Sequence, residues 1–297
     1  MLVATPIGNL DDLSPRAVDA LRRASLICCE DTRRTGRLLQ HAGVTGVRMA
    51  VANEHTEVAR INEVVDVITG GGSVALVSDA GTPGISDPGE RLVRGVLAAG
   101  LPVSAIPGPA AVVMAIVISG FDTSRFVFEG FLPRSGAERN ARLEEVRTER
   151  RTVVLYEAPH RVIRTIADLA ERCGGTRRVA LARELTKLHE DCWRGTLDEA
   201  VIHLGGAEPR GEYVVVLEGR HDDAPADDDA IRAALAAAIG GGADRKTAIA
   251  TVTAALGVPK RRAYDIATTL PRITPRIAAP VETTSSTGPT PRHETHD

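Results

Sequence analysis

Short apolar runs alternate with amphipathic helical patterns along the first 220 residues of the chain. Residues 26–29 and 74–78 are runs of apolar and small side chains, typical of strands that are buried on both faces. Between these runs, Val58, Val64 and Ile68 recur at helical spacing. Such alternation is typical of βαβ units and predicts a largely parallel sheet that is covered by helices on both faces.

A second set of strand and helix patterns follows Pro107-Gly108-Pro109, which joins a strand to an apolar helix. Its predicted strands are residues 126–130, 152–156, 178–182 and 213–218, and its predicted helices are residues 139–146, 161–172 and 197–204. We therefore predict an α/β fold with two α/β domains, at residues 1–109 and 110–220.

The composition changes at HDDAPADDD, which predicts a linker at residues 221–230. Residues 231–270 show short helical patterns and predict a small helical appendage. Two of these patterns, separated by Gly257 and Pro259, resemble a helix-turn-helix, although a purely structural appendage is an equally good interpretation. The Pro-, Thr- and Ser-rich residues 271–297 are predicted to be disordered.

Composition and motifs exclude several classes of protein. The longest apolar window, residues 110–118, is about half a membrane span, so we expect no membrane association. The four cysteines show no CxxC pair and, with no signal-like N-terminus, favour a cytoplasmic protein with reduced thiols. The chain lacks GxGxxG, P-loop, GxSxG and zinc-type spacings, so we expect neither a nicotinamide or P-loop nucleotide site nor a metal site.

Two loops at predicted strand ends are candidates for ligand binding. Residues 78–89 read SDAGTPGISDPG, and their glycines allow a ligand to approach the backbone closely. The Asp87-Pro88-Gly89-Glu90 segment also predicts a helix that begins with Asp87 as N-cap. Ligands of open α/β sheets gather beyond the carboxyl ends of the strands, where both this loop and the Pro107-Gly108-Pro109 turn would lie.

The chain resembles one known family at eight segments, which are TPIGNLDDLSPRA, CEDTRRTGRLL, VALVSDAGTPGISDPG, IPGPAA, FEGFLPR, LYEAPHR, ARELTK and GEYVVVLEG. This family comprises the ribosomal RNA small-subunit cytidine 2′-O-methyltransferases, a branch of the tetrapyrrole methylase superfamily. The resemblance runs from residue 2 to about residue 219. EDTRRTG and SDAGTPGISDPG together are specific to this branch, whereas the PGP and GEY segments are shared more widely.

The resemblance implies two α/β domains of the tetrapyrrole methylase (class III methyltransferase) type, with S-adenosylmethionine in the cleft between them. It implies methylation of a cytidine ribose in 16S ribosomal RNA, either free or in the small subunit, by a homodimer. The cofactor contacts that it implies are Leu10, Asp79, Ala80, Gly81, Thr82, Pro109, Ala110, Tyr156, Ala182 and Glu212.

Methylation of a ribose hydroxyl requires a base for its proton or a cation beside the alkoxide. The catalytic candidates are Asp31, Arg33, His55, Glu57, Glu129 and Lys187, and further candidate groups are Glu30, Glu157 and Glu184. Asp31 fits equally well as a helix cap, and Glu184 and Lys187 as an ion pair. The family often has His-Asn-Glu where this chain has His55-Thr56-Glu57, which removes any role of an Asn amide.

The net charge of −3 means that any contact with RNA depends on local basic groups. Three such groups are Arg33, Arg34 and Arg37; Arg134, Arg139 and Arg142; and Lys260, Arg261 and Arg262. For each group an ordinary solvated face is the more common interpretation. Two alternatives stay open, namely a small-molecule methylase that acts on a tetrapyrrole, and a ligand-sensing regulator that binds nucleic acid through the C-terminal helices.

Overall fold

The computed structural model describes residues 1–206, 208–220 and 227–270 of the chain. It divides into two compact units, Met1–Arg220 and His221–Asp297. Most of the predicted linker and all of the predicted disordered tail lie outside the described residues. Among the described residues, no helix combines the length and the apolar character that crossing a membrane requires.

The first sheet is entirely parallel, with the strand order β3-β2-β4-β1-β5. Its strands are β1 (Leu2–Val3), β2 (Leu26–Cys29), β3 (Met49–Val51), β4 (Val74–Val77) and β5 (Ala105–Ile106). The helices that follow the first four strands are α1 (Pro15–Arg23), α2 (Thr32–His41), α3 (Glu57–Thr69) and α4 (Glu90–Ala98). Side chains of α1 and α2 pack in one cluster and those of α3 and α4 in another, so the parallel sheet and its two helical layers are confirmed.

The second sheet is mixed, with the strand order β6-β7-β10-β8-β9. Its strands are β6 (Phe126–Phe131), β7 (Thr152–Glu157), β8 (Arg178–Arg183), β9 (Asp191–Thr196) and β10 (Tyr213–Leu217). Only β6 and β7 pair in parallel, and the other three pairings are antiparallel. The sequence left the strand order of this half open. A short connection without a helix joins β8 directly to β9, which makes that pair antiparallel.

Four helices cover the second sheet, namely α5 (Ala111–Ser119), α6 (Gly136–Thr148), α7 (Pro159–Cys173) and α8 (Leu197–Gly205). The buried side of α5, which includes Val112 and Ile116, packs on one face of the sheet against Val154 and Val214. Residues of α6, α7 and α8 pack on the opposite face. The carboxyl end of β7 therefore lies close to the start of α5, and the Tyr156 hydroxyl accepts a hydrogen bond from the Val112 N–H at 3.1 Å.

The helix starts show where local sequence signals hold. Ser14 caps α1, with its hydroxyl accepting the Ala17 N–H at 3.2 Å, the role that serine most often takes before a proline at the first helical position. The prediction that Asp87 caps α4 is wrong, because the helix begins at Glu90 and its N-cap is Gly89, with φ = 134°. The Glu57 carboxylate accepts the Gly89 N–H at 2.8 Å instead, which leaves the Asp87 side chain available for other contacts.

The C-terminal unit consists of α9 (Asp228–Gly240), α10 (Arg245–Leu256) and α11 (Lys260–Thr269). These helices pack around an apolar cluster that includes Ile231, Leu235 and Ile249. Gly257 ends α10 in the left-handed conformation, with φ = 61°, as expected for the turn of a helix-turn-helix-like pair. The appendage predicted for residues 231–270 is therefore present as three helices.

Candidate active site

A cavity of about 440 Å³ lies at the carboxyl ends of β1, β2 and β4 and is closed by segments of the second sheet. Its volume is in the range of small-molecule sites. From the first sheet it is lined by Ile7, Glu30, Arg34, residues 79–82 and 85–87, and then by Ala110 and Ala111. From the second sheet it is lined by Phe131, residues 156–160, Glu184, Leu185, Lys187 and residues 212–214.

The glycine-rich loop after β4 is held against two neighbouring strand ends. Thr5 and Gly81 exchange two backbone hydrogen bonds, with N···O distances of 2.8 and 3.1 Å. The Thr82 hydroxyl donates to the Pro109 carbonyl at 3.2 Å. Gly81 has φ = 82°, a conformation that suits glycine, and a Cβ there would lie 3.3 Å from the Ile7 side chain. The loop thus presents its backbone to the cavity in a fixed position.

Asp79 connects the ends of β4 and β2. Its carboxylate accepts the Asp31 N–H at 3.1 Å and lies 3.3 Å from the Arg34 guanidinium. Asp31 itself caps α2, accepts the Arg33 N–H at 2.7 Å and pairs with the Arg33 side chain. The hydrogen bonds from Arg33 lower the pKa of the Asp31 carboxyl. Asp31 and Arg33 therefore contact each other beside the cavity, and neither lines it.

Two further carboxyl groups of the first sheet face the cavity and carry raised pKa values. Burial is the main cause of the rise at Glu30, and the charge of Asp79 adds to it. Burial also raises the pKa of Asp87 to about 6, with further increases from Glu30, Asp79 and Glu212 and a partial offset from the Ser78 side chain. The cavity thus concentrates negative charge in a partly dehydrated space.

The raised pKa of Asp87 predicts that Asp87→Asn stabilises the folded chain at neutral pH. In the unfolded chain the carboxyl loses its proton near pH 3.8, and in the folded chain near pH 6. The free energy of unfolding therefore falls as the pH rises from about 4 to 6. We expect the variant to gain about 1–3 kcal/mol at pH 8 and nothing at pH 3.5 in chemical denaturation. An equal gain at both pH values would contradict this origin.

Segments of the second sheet complete the cavity with an aromatic group and an ion pair. Tyr156 lies 4.8 Å from Phe128 and 5.7 Å from Phe131, measured between ring centroids. Lys187 lies 2.9 Å from the Glu184 carboxylate, and this hydrogen bond lowers the pKa of Glu184. Glu184 has φ = 51°, an uncommon value for a residue with a side chain.

The cavity brings together eleven of the residues predicted for the site, namely Glu30, Asp79, Ala80, Gly81, Thr82, Ala110, Tyr156, Glu157, Glu184, Lys187 and Glu212. Leu10 is exposed, and Ala182 is buried in β8 against the α5 side of the sheet. Pro109 lies next to the lining and accepts the Thr82 hydroxyl. The contacts predicted for Leu10, Pro109 and Ala182 stay predictions.

The remaining catalytic candidates lie outside the cavity lining. His55 is exposed in the turn before α3, and Thr56 hydrogen bonds within that turn to Asn53 and to the Val51 carbonyl. Glu129 forms an ion pair with Arg142. Glu57 is 4% exposed and supports the cavity loop through Gly89. The alternative that Glu184 and Lys187 form an ion pair is the one observed.

Glu57→Ala is expected to destabilise the chain by about 1–3 kcal/mol, because the Gly89 N–H would lose its buried acceptor. Urea denaturation measures the loss, and Glu54→Ala, at an exposed position three residues earlier, is the matched control. Unchanged stability together with lost activity would instead support the catalytic role that the sequence suggested.

Several lining residues were not predicted for the cofactor or catalytic site, chiefly Arg34, Ile85, Ser86 and Asp87. A signal was present for Asp87, since it lies in the same loop as Asp79. The Asp-Pro pair pointed instead to a helix cap, which is the more common role of that pattern. Arg34 was identified only as part of a basic group, and its side chain forms both an ion pair with Asp79 and part of the cavity wall.

Comparison with known proteins identifies the family. The family model described as tetrapyrrole (corrin/porphyrin) methylases matches residues 1–201. The chain belongs to the tetrapyrrole methylase family. Within this family, it is 42% identical over 267 residues to the ribosomal RNA small subunit methyltransferase I of Synechocystis sp., covering 89% of this chain and 95% of that protein. The protein of the same name from Thermotoga maritima is 44% identical over 220 residues, covering 74% of this chain and 98% of that protein.

Solved structures of two methyltransferases share the fold. The crystal structure of the methyltransferase CobJ superposes with a TM-score of 0.56 at 20% identity, covering 73% of this chain and 92% of that chain. The cobalt precorrin-4 methyltransferase CbiF gives a TM-score of 0.55 at 15% identity, covering 73% of this chain and 93% of that chain. The α/β fold of the tetrapyrrole methylases is thereby confirmed, with the family model matching residues 1–201, and the helices of the second unit follow it.

The chain is a methyltransferase, and its cofactor is S-adenosylmethionine. The residues of the cavity suit this molecule. Carboxylates can face its sulfonium, ammonium and ribose hydroxyl groups, and small residues such as Ala80, Gly81 and Ala110 leave room for a flat ring beside the backbone. The Arg34 and Lys187 cations and the loop N–H groups can receive its carboxylate.

Proposed function

We propose that this tetrapyrrole methylase transfers a methyl group to a cytidine 2′-hydroxyl of 16S ribosomal RNA in the small ribosomal subunit. The observation that carries the proposal is the 42% identity to the Synechocystis protein named ribosomal RNA small subunit methyltransferase I, since the match covers 95% of that protein. Proteins of that name from Mycobacterium tuberculosis and Thermotoga maritima match at 42% and 44% identity.

The cavity supports this assignment through position and charge. S-adenosylmethionine supplies an electrophilic methyl group on a sulfonium when it is bound. The protein has to hold a nucleotide at the cavity mouth, exclude water and accept the hydroxyl proton. The cavity carboxylates can act as proton acceptors, and the loop after β4 fixes one wall through its contacts with Thr5 and Pro109.

The basic groups differ in their availability to RNA. Arg33 and Arg37 are exposed on α2, close to Arg34 at the cavity wall, and these three side chains suit contacts with phosphates near the target nucleotide. Arg139 is 3% exposed and paired with Asp168, so its assignment to an RNA-binding group is wrong. In the C-terminal unit, Arg262 pairs with Asp228, whereas Lys260 and Arg261 are exposed.

The experiment is methyl transfer from labelled cofactor to small ribosomal subunits that lack the modification, followed by mapping of the label. We expect label on the ribose of one cytidine. Label on a base, or transfer to a porphyrinoid with none to RNA, would contradict the proposal. Removing residues 222–297 tests the regulator alternative. If the chain is an enzyme of this kind, the truncated chain keeps its affinity for the cofactor. If it is a sensor-regulator, the truncated chain loses all affinity for nucleic acid.

We further infer that the protein is a cytoplasmic homodimer. The α5 side chains Val113, Met114 and Val117 are 40–61% exposed, an apolar group suited to a second copy of the chain. The four cysteines are all free, in keeping with a reducing compartment. Light scattering is expected to give a mass twice that of one chain for the wild type. For Val117→Asp we expect the measured mass to fall towards that of one chain. A monomeric wild type would contradict the inference.

A further inference from the structure

The cavity carboxylates fall into two groups according to their partners. Asp79 pairs with Arg34, Glu157 with Arg161 and Glu184 with Lys187, at distances of 3.3, 3.1 and 2.9 Å. Across residues 1–206 and 208–220, Asp87, Glu30 and Glu212 form no such pair, so these three are the cavity carboxylates without a cation bound to them. Protonation of an ion-paired carboxylate would disrupt its contact with the cation, so the three carboxylates without an ion pair are the better-placed proton acceptors.

Asp87 is the member of this group that both sheets surround. Burial is the main cause of the raised pKa of Asp87. The charges of Glu30 and Asp79, at the carboxyl ends of β2 and β4, raise it further, and so does the charge of Glu212 next to the start of β10. Burial raises the pKa of Tyr156, at the end of β7, and the charges of Asp87 and Glu212 add to this rise. The other titratable groups of the wall are Arg34, Glu157, His160, Glu184, Lys187 and Tyr213. Glu212, in contrast, is exposed.

The backbone around Asp87 is fixed in an uncommon conformation. Ser86 has φ = 58°, although it carries a side chain, and Gly84 and Gly89 on either side have φ = 82° and 134°. On the far side, the Gly89 N–H is held by the buried Glu57 carboxylate. These constraints keep Asp87 out of the cap position of α4 and within the cavity wall, and strained residues of this kind often accompany functional groups.

We propose that Asp87 is the catalytic base that takes the proton from the ribose 2′-hydroxyl, an inference that rests on the proposed function. The O2′–H bond breaks as the O2′–CH₃ bond forms, the proton passes to an Asp87 carboxylate oxygen, and the electron pair of the broken sulfur–carbon bond stays on sulfur. A base works best when its pKa is near the working pH, and the raised pKa of Asp87 brings it closer to neutrality.

The test compares wild type, Asp87→Asn and Glu30→Gln in the full chain. With ribosomal subunits as substrate, we expect Asp87→Asn to lower kcat by about 10²- to 10⁴-fold, with KM for the subunits and the cofactor Kd within about threefold of wild type. The acid limb of the pH–rate profile is expected to vanish in Asp87→Asn. In Glu30→Gln the limb is expected to persist at lower pH, because a neighbouring negative charge is lost.

A second readout needs no turnover. Carbon-13 NMR of aspartate-labelled, cofactor-free protein is expected to show one carboxyl that titrates near pH 6 and is absent from Asp87→Asn. The same spectrum also verifies that the Asp87→Asn variant is folded.

If the wild type is active, any one of three results would overturn the role of Asp87 and leave the proposed function standing. They are a kcat within tenfold of wild type in Asp87→Asn, an acid limb lost in Glu30→Gln instead, or a cofactor Kd raised tenfold or more in Asp87→Asn, which would make Asp87 a cofactor ligand. A wild type that binds the cofactor yet methylates no ribosomal RNA would overturn the proposed function, and this inference with it.

Discussion

Asp79→Ala is expected to raise the Kd for S-adenosylmethionine by about 10- to 100-fold and to reduce methyl transfer correspondingly. The Asp79 carboxylate faces the cavity, accepts the Asp31 N–H and holds the Arg34 guanidinium. Alanine removes a negative charge from a site that receives a sulfonium cation, and it leaves both the N–H and the guanidinium without this partner. Calorimetric titration with the cofactor measures the effect.

Two controls separate charge from structure in that experiment. Asp79→Asn keeps an acceptor for the Asp31 N–H but removes the charge. We therefore expect its affinity for the cofactor to fall more than its affinity for the product, in which the sulfur is an uncharged thioether. Asp19→Ala removes an aspartate of an exposed ion pair on α1 and is expected to bind both normally. Wild-type affinity for both compounds in Asp79→Ala would exclude Asp79 as a cofactor contact.

Arg139→Ala is expected to destabilise the chain by about 3–5 kcal/mol. The Arg139 guanidinium lies 2.7 Å from the Asp168 carboxylate and donates to the Pro133 carbonyl at 2.9 Å and to the Thr165 hydroxyl at 3.1 Å. Because the arginine side chain is almost entirely buried, its loss leaves the Pro133 carbonyl without this donor and the Asp168 carboxylate with only the more distant Arg164 guanidinium, 3.9 Å away. Denaturation with guanidinium chloride gives the difference in the free energy of unfolding.

Arg147→Ala provides the matched control on the same helix. Arg147 pairs with Glu144 one turn away, and both side chains are exposed, so we expect a loss below about 1 kcal/mol. Similar losses in Arg139→Ala and Arg147→Ala would show that burial does not determine the contribution of these ion pairs.

Local sequence signals predicted the elements of the first sheet well. The apolar run at residues 26–29 matches β2, because a run of this kind is a local signal. β3 and β9 were not predicted. β3 has three residues, and β9 has the polar sequence DCWRGT, which forms a strand at the sheet edge because it pairs with β8.

The composition of the site was harder to predict than the fold. The motif after β4 identified Asp79 and its neighbours, whereas Asp87 was assigned to a helix cap. Its actual surroundings depend on Glu57, thirty positions earlier in the chain, and on Glu212, on the other sheet. Local patterns carry no information on such distant pairings, so the carboxylates without ion-pair partners became evident only in the folded chain.

The position of β10 has a consequence for synthesis of the protein. β10 lies between β7 and β8, so β8 and β9 can join β7 only after residue 217 has been translated. The first sheet is complete at Ile106 and can fold much earlier, as N-terminal segments do during translation. A nascent chain that ends before Tyr213 therefore has one finished half, and it lacks both the strand that joins β7 to β8 and the part of the cavity wall formed by Tyr213 and Val214.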